Sequence, residues 1–217
     1  MGRGILKKTR IVLADDHPVV RAGLFRVLAD QDNIIIVGEA NSGEHAYQTS
    51  SSLKFDVLVM NITISSIGGL EALRRILARD PEAKVLMFSM DENITFATQA
   101  LTLGAMGYIA MSEEHDSLVN AVTTVAKGEN FLSTVMAQRI AIESTSGNEN
   151  IVQRLTSREF EIFRLIVEGK AVEGIAKRLS ISRKTVANYQ TMLKHKLGVS
   201  QPVELVRLAM KHGVIEH

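Results

Sequence analysis

Short apolar segments recur along the first half of the chain, separated by segments of helical length. They are rich in Val, Ile and Leu, which is typical of parallel strands covered on both faces. The five predicted strands are RIVLA (10–14), IIIVGE (34–39), DVLVM (56–60), KVLMF (84–88) and GYIA (107–110).

The intervening segments carry apolar residues at helical spacing, such as Leu70, Leu73, Ile76 and Leu77 in GLEALRRILARD. GEHAYQTSSSL is a weaker helix candidate because its serine run has low helix propensity. The alternation predicts an α/β fold in which helices cover both faces of one parallel sheet. The common strand order for such a sheet is 2-1-3-4-5, with the functional site at the carboxyl ends of strands 1 and 3.

The alternation stops after Gly128. NFLSTVMAQRIAIE predicts one further helix, STSGNENIVQ predicts a linker, and the chain from Leu155 onward is predicted to be all helix. We therefore expect an α/β domain over residues 1–128, a helix and linker over 129–153, and a small four-helix domain over 154–217.

The C-terminal segment predicts a helix, a tight turn and a second helix. Its first helix, in LTSREFEIFRLIVEGK, has a capping signature at Thr156 or Ser157 with Glu159. VEGIAKRLS and RKTVANYQTMLKHKLG flank a two-residue turn, and PVELVRLAMKHG has Pro at its start and Gly at its end. This arrangement suits a protein that reads the major groove of DNA, although a solvated helix face is the alternative.

Charge is distributed unevenly between the two parts of the chain. Residues 1–150 hold 13 Lys and Arg against 18 Asp and Glu, whereas residues 151–217 hold 12 against 6. A net charge of about +6 on the small domain favours approach to a polyanion, although chance can produce such differences. The chain has no Cys and no long apolar run, so disulfides, a thiolate site and a transmembrane helix are not expected.

Polar side chains follow the first and third predicted strands. Asp15 and Asp16 come directly after the first, and Asn61 closes the third. In a 2-1-3-4-5 sheet these strand ends are neighbours, so we expect the three side chains to converge and Asn61 to hydrogen-bond one aspartate. The paired carboxylates are candidate Mg²⁺ ligands, and N-capping of the following helix is the equally weighted alternative.

Several motifs together resemble a NarL/FixJ-type response regulator, which joins a receiver domain to a LuxR-type helix-turn-helix domain. They are IVLADDHPVVRAGL, GGLEAL, GAMGYI and LTSRE…EGK…IAKRLSISRKTVANYQ…LKHKLGVS. The details IGGLEA and KTV-N-Y are most similar to the GacA-like branch. The resemblance covers nearly the whole chain and implies a flavodoxin-like (CheY-like) receiver fold.

The resemblance implies a phosphorylation site in which this chain departs from the family pattern. Acids matching Asp15 and Asp16 hold Mg²⁺, an aspartate stands at position 61, and a lysine stands at position 111. Here Ser89 and Tyr108 fit the pattern, whereas Asn61 and Met111 do not. The loop sequence ISS (64–66) replaces the usual Met-Pro-like pair. Because a carboxamide is too weak a nucleophile to form an acyl phosphate, we expect no aspartyl phosphorylation and a weakened Mg²⁺ site.

The resemblance also implies which residues of the third C-terminal helix contact DNA. Base contacts are expected from Ala187, Asn188 and Thr191, and phosphate contacts from Arg183, Lys184, Thr185 and Lys194. The pair Val172–Glu173 stands where the family frequently has a basic residue. Few base contacts per domain imply a homodimer on paired half-sites, with the fourth helix as a dimerising element.

These observations predict a cytoplasmic DNA-binding transcription regulator whose receiver is controlled without aspartyl phosphorylation. One alternative is an interaction protein that heterodimerises with an intact response regulator. The candidate protein partners, besides a second copy of the chain, are therefore another response regulator and a sensor kinase. A third reading is a conventional phosphorylated regulator in which Asn61 is an engineered replacement for aspartate. An enzyme is not expected, because the sequence has no metal-ligand cluster and no nucleotide-binding loop.

Overall fold

The computed structural model describes residues 8–90, 92–145 and 151–215. Within these residues, the first domain is built on a six-stranded parallel sheet of order β2-β1-β3-β4-β5-β6. The strands are β1 (Thr9–Ala14), β2 (Ile34–Ala40), β3 (Val57–Asn61), β4 (Val85–Ser89), β5 (Gly107–Ala110) and β6 (Phe131–Leu132). The predicted order 2-1-3-4-5 is confirmed for the first five strands.

The sixth strand corrects the prediction that NFLSTVMAQRIAIE is one helix. Phe131 and Leu132 pair with Gly107 and Tyr108 of β5, and the helix begins only at Thr134. A two-residue strand carries no periodic signal of its own. The unpaired edge of β5 provides its backbone partners, and that edge is created by the tertiary fold.

Helices cover both faces of the sheet, as predicted. The helices α1 (Pro18–Ala29) and α5 (His115–Ala126) pack on one face, where Leu24, Leu28 and Val122 contact the inward residues of β1 and β3. The helices α2 (Gly43–Ser52), α3 (Gly69–Arg79) and α4 (Ile94–Thr102) cover the other. Both faces of the sheet are therefore dry, which explains the continuous apolar strands.

The helix α2 forms despite its serine run. The Ser42 hydroxyl caps its first turn by accepting a hydrogen bond from the backbone N–H of His45. Ser50, Ser51 and Ser52 each donate to the carbonyl three residues earlier, so their hydroxyls are satisfied within the helix. Packing of Ala46 and Thr49 on the sheet then outweighs the low helix propensity of serine.

The second domain is helical throughout its described residues. After α6 (Thr134–Thr145) and a 3-10 turn at Ile151–Arg154 come α7 (Ser157–Val167), α8 (Val172–Arg178), α9 (Arg183–Lys196) and α10 (Pro202–Lys211). Thr156 caps α7 in a capping box with Glu159, which confirms the predicted signature. The predicted linker STSGNENIVQ spans residues 144–153, and residues 146–150 of it lie outside the described residues. Its ends correct the prediction, because Ser144 and Thr145 belong to α6 and residues 151–153 belong to the 3-10 turn.

The two domains share one apolar core. Buried residues of α3 and α4 and buried residues of α7 belong to the same hydrophobic cluster. At its centre the rings of Phe96 on α4 and Phe160 on α7 meet edge to face, with centroids 5.0 Å apart. Such an aromatic pair contributes about 0.5–1.5 kcal/mol beyond the burial of its area. Of the helices described, none is long and apolar enough to cross a membrane.

Candidate functional site

The parallel sheet brings Asp15, Asp16 and Asn61 together at one edge. The strands β1 and β3 are adjacent and in register, with Ala14 beside Met60, so that the residues following each strand meet. Asp15 and Asn61 are buried, and Asp16 is mostly buried. The predicted convergence of the three side chains is thus confirmed.

The Asn61 side chain uses both of its polar atoms in hydrogen bonds. Its Nδ2 donates to Oδ2 of Asp15 at 2.9 Å, as predicted. Its Oδ1 accepts from the backbone N–H of Thr63 at 2.9 Å and from the Thr63 hydroxyl at 3.1 Å. A backbone N–H can only donate, so it fixes which end of the amide faces Asp15. Asn61 therefore presents an N–H to the crevice.

His17 lies against both aspartates. Its backbone N–H donates to Oδ1 of Asp15 at 2.6 Å, and its Nδ1 lies 3.1 Å from that oxygen and 3.3 Å from Oδ1 of Asp16. His17 is the N-cap of α1 and no side chain caps the helix, so the capping interpretation of the aspartates is wrong. The two acids and His17 are close enough to share one cation among them.

The donor set fits Mg²⁺ only in part. Oδ1 of Asp16 is buried and, although Nδ1 of His17 lies 3.3 Å away, it accepts no hydrogen bond of good geometry, so this carboxylate oxygen is available to a cation. Asp15 has both oxygens committed, and Asn61 offers an N–H in place of a ligand oxygen. Mg²⁺ requires near-octahedral oxygen ligands, so the crevice keeps the carboxylates of Asp15 and Asp16 for it and lacks the third carboxylate that an aspartate at position 61 would add.

Ser89, Tyr108 and Met111 belong to the neighbouring strands β4 and β5 or follow directly after them. Ser89 is buried at the end of β4, whereas Tyr108 is buried as the second residue of β5, in register with Met87. The Met111 side chain is 47% exposed, and its backbone N–H donates to the carbonyl of Ser89. An exposed thioether cannot supply the positive charge that would neutralise a phosphoryl group at this edge.

The helix α9 presents the predicted DNA-contacting residues on one side. Val186, Leu193 and Leu197 are buried and Tyr189 is half-buried, which anchors the other side in the core of the domain. Exposed or half-exposed on the outward side are the residues predicted from the resemblance: Arg183, Lys184, Thr185, Ala187, Asn188, Thr191 and Lys194. Ser182 caps the helix by accepting from the backbone N–H of Thr185.

Two details modify the charge of this surface. Arg183 forms an ion pair with Glu173 of α8, with Nη1 and Oε1 3.2 Å apart, so its charge is partly balanced locally. The Thr191 hydroxyl donates to the carbonyl of Ala187 at 3.2 Å. Lys184 and Lys194 have no carboxylate within ion-pair distance among the residues described. The unbalanced positive charge therefore lies mainly on these two lysines.

The loop between β3 and α3, residues 62–68, joins the aspartate crevice to the second domain. Arg178 of α8 donates from Nη2 to the Thr63 carbonyl at 2.7 Å, and Arg158 of α7 donates from Nη1 to the Ile67 carbonyl at 3.2 Å. The backbone N–H of Ser66 donates to the Arg178 carbonyl at 3.0 Å. Thr63 therefore contacts both groups. Its backbone N–H and hydroxyl donate to the Asn61 side chain, and its carbonyl accepts from the guanidinium of Arg178.

Glu161 of α7 is buried beneath this loop, against Gly68. A Cβ added to Gly68 would lie 1.8 Å from Oε1 of Glu161, and Gly68 has a φ of 82°, so the position requires glycine. Burial raises the pKa of Glu161 to about 8, although Arg158, Arg164 and Arg178 lower it. Sequence reasoning missed Glu161, Arg158 and Arg178. The Gly68–Gly69 pair is the feature of the sequence that indicates a close contact here, and it does not identify Glu161 as the residue in contact.

Comparison with known proteins defines the class. The family of the response regulator receiver domain matches residues 11–123, and the family described as bacterial regulatory proteins, luxR family, matches residues 153–209. The chain belongs to the response regulators, and it joins a receiver to a LuxR-type helix-turn-helix domain as the NarL/FixJ type does. We refer to the two parts as the receiver and the helix-turn-helix domain below.

Its relatives include two regulators matched over almost their full length. The chain is 36% identical over 209 residues to response regulator GacA of Pseudomonas viridiflava, covering 95% of this chain and 98% of the relative. It is 32% identical over 206 residues to response regulator UvrY of Escherichia coli (strain K12), covering 94% of each. These identities confirm the resemblance to the GacA-like branch.

Two solved structures share the fold. A LuxR-family two-component response regulator from Aurantimonas sp. SI85-9A1 is 35% identical and covers 64% of this chain and all of its own, with a TM-score of 0.62. RcsB of Salmonella typhimurium is 23% identical and covers 95% of this chain and 98% of its own, with a TM-score of 0.74. The RcsB match supports the fold alone.

Proposed function

We propose that the protein is a DNA-binding transcription regulator that acts as a homodimer and whose receiver is not switched by aspartyl phosphorylation. The observation that carries this proposal is the Asn61 amide, buried at the carboxyl end of β3 with both polar atoms in hydrogen bonds.

DNA binding is supported by the surface of α9. Its outward side combines two lysines that lack a carboxylate partner among the described residues with Asn188 and Thr191, which suit base edges. Solved RcsB structures of the same fold are described as bound to promoter DNA. The basic net charge of the small domain favours the same partner.

Independence from aspartyl phosphorylation is supported by the chemistry of the crevice. An acyl phosphate forms when a carboxylate oxygen attacks phosphorus, and the amide of Asn61 has neither the charge nor the free oxygen to do so. The carboxylates that remain are those of Asp15 and Asp16. Asp15 is buried and both of its oxygens accept hydrogen bonds, from His17 and Asn61. It is therefore poorly placed to attack a phosphodonor.

The test is incubation of the protein with acetyl phosphate and Mg²⁺, followed by intact-mass measurement and peptide mapping. We expect no phosphoryl adduct on the wild-type chain. The double variant Asn61→Asp, Met111→Lys restores the acceptor and the pairing lysine and is the positive control. A stable phosphoryl adduct on wild-type protein, at Asp15 or Asp16 included, would overturn the proposal.

Dimeric DNA binding is tested separately, on untreated protein. Binding to genomic fragments is measured at defined salt, with the mass of the complex measured in the same sample. Sequence-selective binding by a dimer supports the proposal. A monomer that binds DNA only after a second response regulator is added would instead assign the protein to the heterodimerising class.

A further inference from the structure

A cavity of about 480 Å³ lies between the two domains, beside the loop of residues 62–68. The receiver contributes Ser65 and Ser66 to its lining, and the helix-turn-helix domain contributes Lys170, Lys177, Arg178 and Ser180. Its volume is within the range of sites that hold small metabolites. We call it the interdomain cavity.

The lining of the interdomain cavity is positively charged. It includes two lysines and one arginine and no acidic side chain among the residues described. Lys170 and Lys177 have no carboxylate within ion-pair distance in the described part of the chain. Three serine hydroxyls add groups that can donate hydrogen bonds to an anion. Cations left without a partner in a concave site attract a ligand of opposite charge.

The chemistry favours a phosphate ester over a carboxylate. A phosphoryl group offers three acceptor oxygens and up to two negative charges, which matches several cations and hydroxyls at once. Leu165 and Ile175, which also border the cavity, are almost completely buried, so the groups it offers to a ligand are mainly polar and charged.

DNA is a less suitable occupant of the cavity than a small molecule. One wall of the cavity is formed by the receiver loop, and residues 1–150 carry 18 acids against 13 basic residues. A polyanion would have to approach this acidic domain along its length, whereas a single phosphate group would meet only the cations of the cavity.

We propose that the interdomain cavity binds a small phosphate monoester that contacts both domains at once. Bound there, the ligand joins the receiver loop to α8 and stabilises their packing. The effect extends to the aspartate crevice, because the backbone N–H of Ser65 donates to Oδ2 of Asp16 at 3.2 Å. The cavity thus provides an input that replaces the phosphoryl group at position 61, a role that rests on the proposed function.

The test is isothermal titration of the full-length protein with glucose 6-phosphate and with inorganic phosphate, at ionic strength matched with chloride. We expect saturable binding of one glucose 6-phosphate per chain. The double variant Lys170→Ala, Lys177→Ala is expected to weaken it by about tenfold or more, through loss of charge-assisted hydrogen bonds. The matched control is Lys54→Ala, Lys127→Ala, which removes two exposed receiver lysines away from the cavity.

The outcomes separate a site from a general effect of charge. Absence of saturable binding up to millimolar ligand, or an equal loss in both double variants, would overturn the proposal. If the Lys170, Lys177 variant lost DNA affinity but kept glucose 6-phosphate affinity, the lysines would belong to the DNA contact instead. The four substituted lysines are exposed, so the variants are expected to fold normally, and circular dichroism of each variant checks this. The phosphodonor experiment on Asn61 is unaffected by any of these results.

Discussion

At the scale of the residue, an amide at position 61 gives a buried crevice different electrostatics from those that a carboxylate there would give. With an aspartate there, three carboxylates would meet at the ends of β1 and β3 and would require a cation. Asn61 instead donates a hydrogen bond to Asp15 at 2.9 Å, which satisfies the buried carboxylate without a metal. The hydrogen bond therefore stabilises the arrangement of the crevice in which Asn61 faces Asp15.

The variant Asn61→Asp is expected to lower the free energy of unfolding by about 2 kcal/mol in the absence of Mg²⁺. It replaces a buried hydrogen bond to a charged group with repulsion between carboxylates. Mg²⁺ should restore most of this loss, whereas it should stabilise the wild-type chain only slightly. Thermal unfolding with and without Mg²⁺ measures both effects.

Asn61→Ala is the control, because it removes the hydrogen bond without adding charge. It should lower stability in a way that Mg²⁺ does not restore. Equal stability of Asn61→Asp and wild type without Mg²⁺ would contradict the assigned hydrogen bond.

Two residues of α9 are expected to affect DNA binding in different ways. Lys184→Ala should weaken binding to all sequences alike and reduce the slope of log affinity against log salt by about one, because one phosphate contact is lost. Asn188→Ala should cost about 1–3 kcal/mol on the preferred site only and relax selectivity at one position. Titrations of both variants on specific and random DNA, at several salt concentrations, distinguish the two. An unchanged salt slope for Lys184→Ala would contradict the assignment of α9 to the groove.

At the scale of the element, the loop of residues 62–68 links the crevice to the helix-turn-helix domain. Its backbone carbonyls accept hydrogen bonds from Arg158 and Arg178, and its glycine makes room for Glu161. Backbone groups in a loop outside regular structure need partners, and here the other domain supplies them. The conformation of the loop and the docking of the domains are therefore coupled.

The variant Gly68→Ala is expected to weaken docking of the two domains by about 1–3 kcal/mol, because its Cβ overlaps the buried carboxyl of Glu161. Amide hydrogen exchange should become faster in the peptides that contain Phe96 and Phe160, and the radius of gyration in solution should increase.

Gly104→Ala is the matched control for backbone strain. Gly104 also has a positive φ, of 103°, but the nearest atom to its added Cβ belongs to Leu77 of the receiver. It should destabilise the receiver and leave the domains docked. Undocking by both variants to the same degree would show that strain alone, and not the overlap with Glu161, is responsible.

The strands and helices that could be predicted from the sequence are those in which apolar residues repeat at the spacing of a strand or a helix. The strands of RIVLA and KVLMF and the helix of GLEALRRILARD were predicted because burial of one face or both imposes a repeat on the residues. The strand β6 and the contacts of residues 62–68 have no such repeat, because their partners are distant in sequence. The Asn61–Asp15 hydrogen bond could be predicted, since sheet topology alone places those strand ends together.

At the scale of the whole molecule, docking leaves exposed the side of α9 that we propose contacts DNA. The loop of residues 62–68 accepts hydrogen bonds from α7 and α8. The helix α4 donates hydrogen bonds to the turn before α7 and to the segment after α10. Lys184, Ala187 and Asn188 remain exposed. The docked arrangement therefore does not cover this surface in one chain, and docking instead fixes how the receiver is oriented relative to α9.

Docking is expected to weaken as the pH rises, because the Glu161 carboxyl is buried against Gly68 of the receiver and we expect it to become exposed when the domains separate. Its pKa is about 8 in the docked state and has an ordinary value of 4.5 when the carboxyl is exposed. Between pH 4.5 and pH 8, Glu161 is therefore protonated when the domains are docked and ionised when they separate. The charged groups that face it are Arg158, Arg164 and Arg178 from the helix-turn-helix domain and Glu71 from the receiver. Docking stability is complete below about pH 4.5 and is lost progressively as the pH rises to about 8.

Within that range, each pH unit should reduce the docking equilibrium by at most about tenfold. The radius of gyration, measured between pH 6 and pH 9 at constant ionic strength, should increase with pH for the wild type. Glu161→Gln keeps the shape of the side chain but has no titratable proton, so its docking should be stronger at pH 8 and insensitive to pH over this range. A wild-type radius that stayed constant, or a Glu161→Gln variant that opened at the same pH, would mean that burial of this carboxyl does not control how the two domains are held.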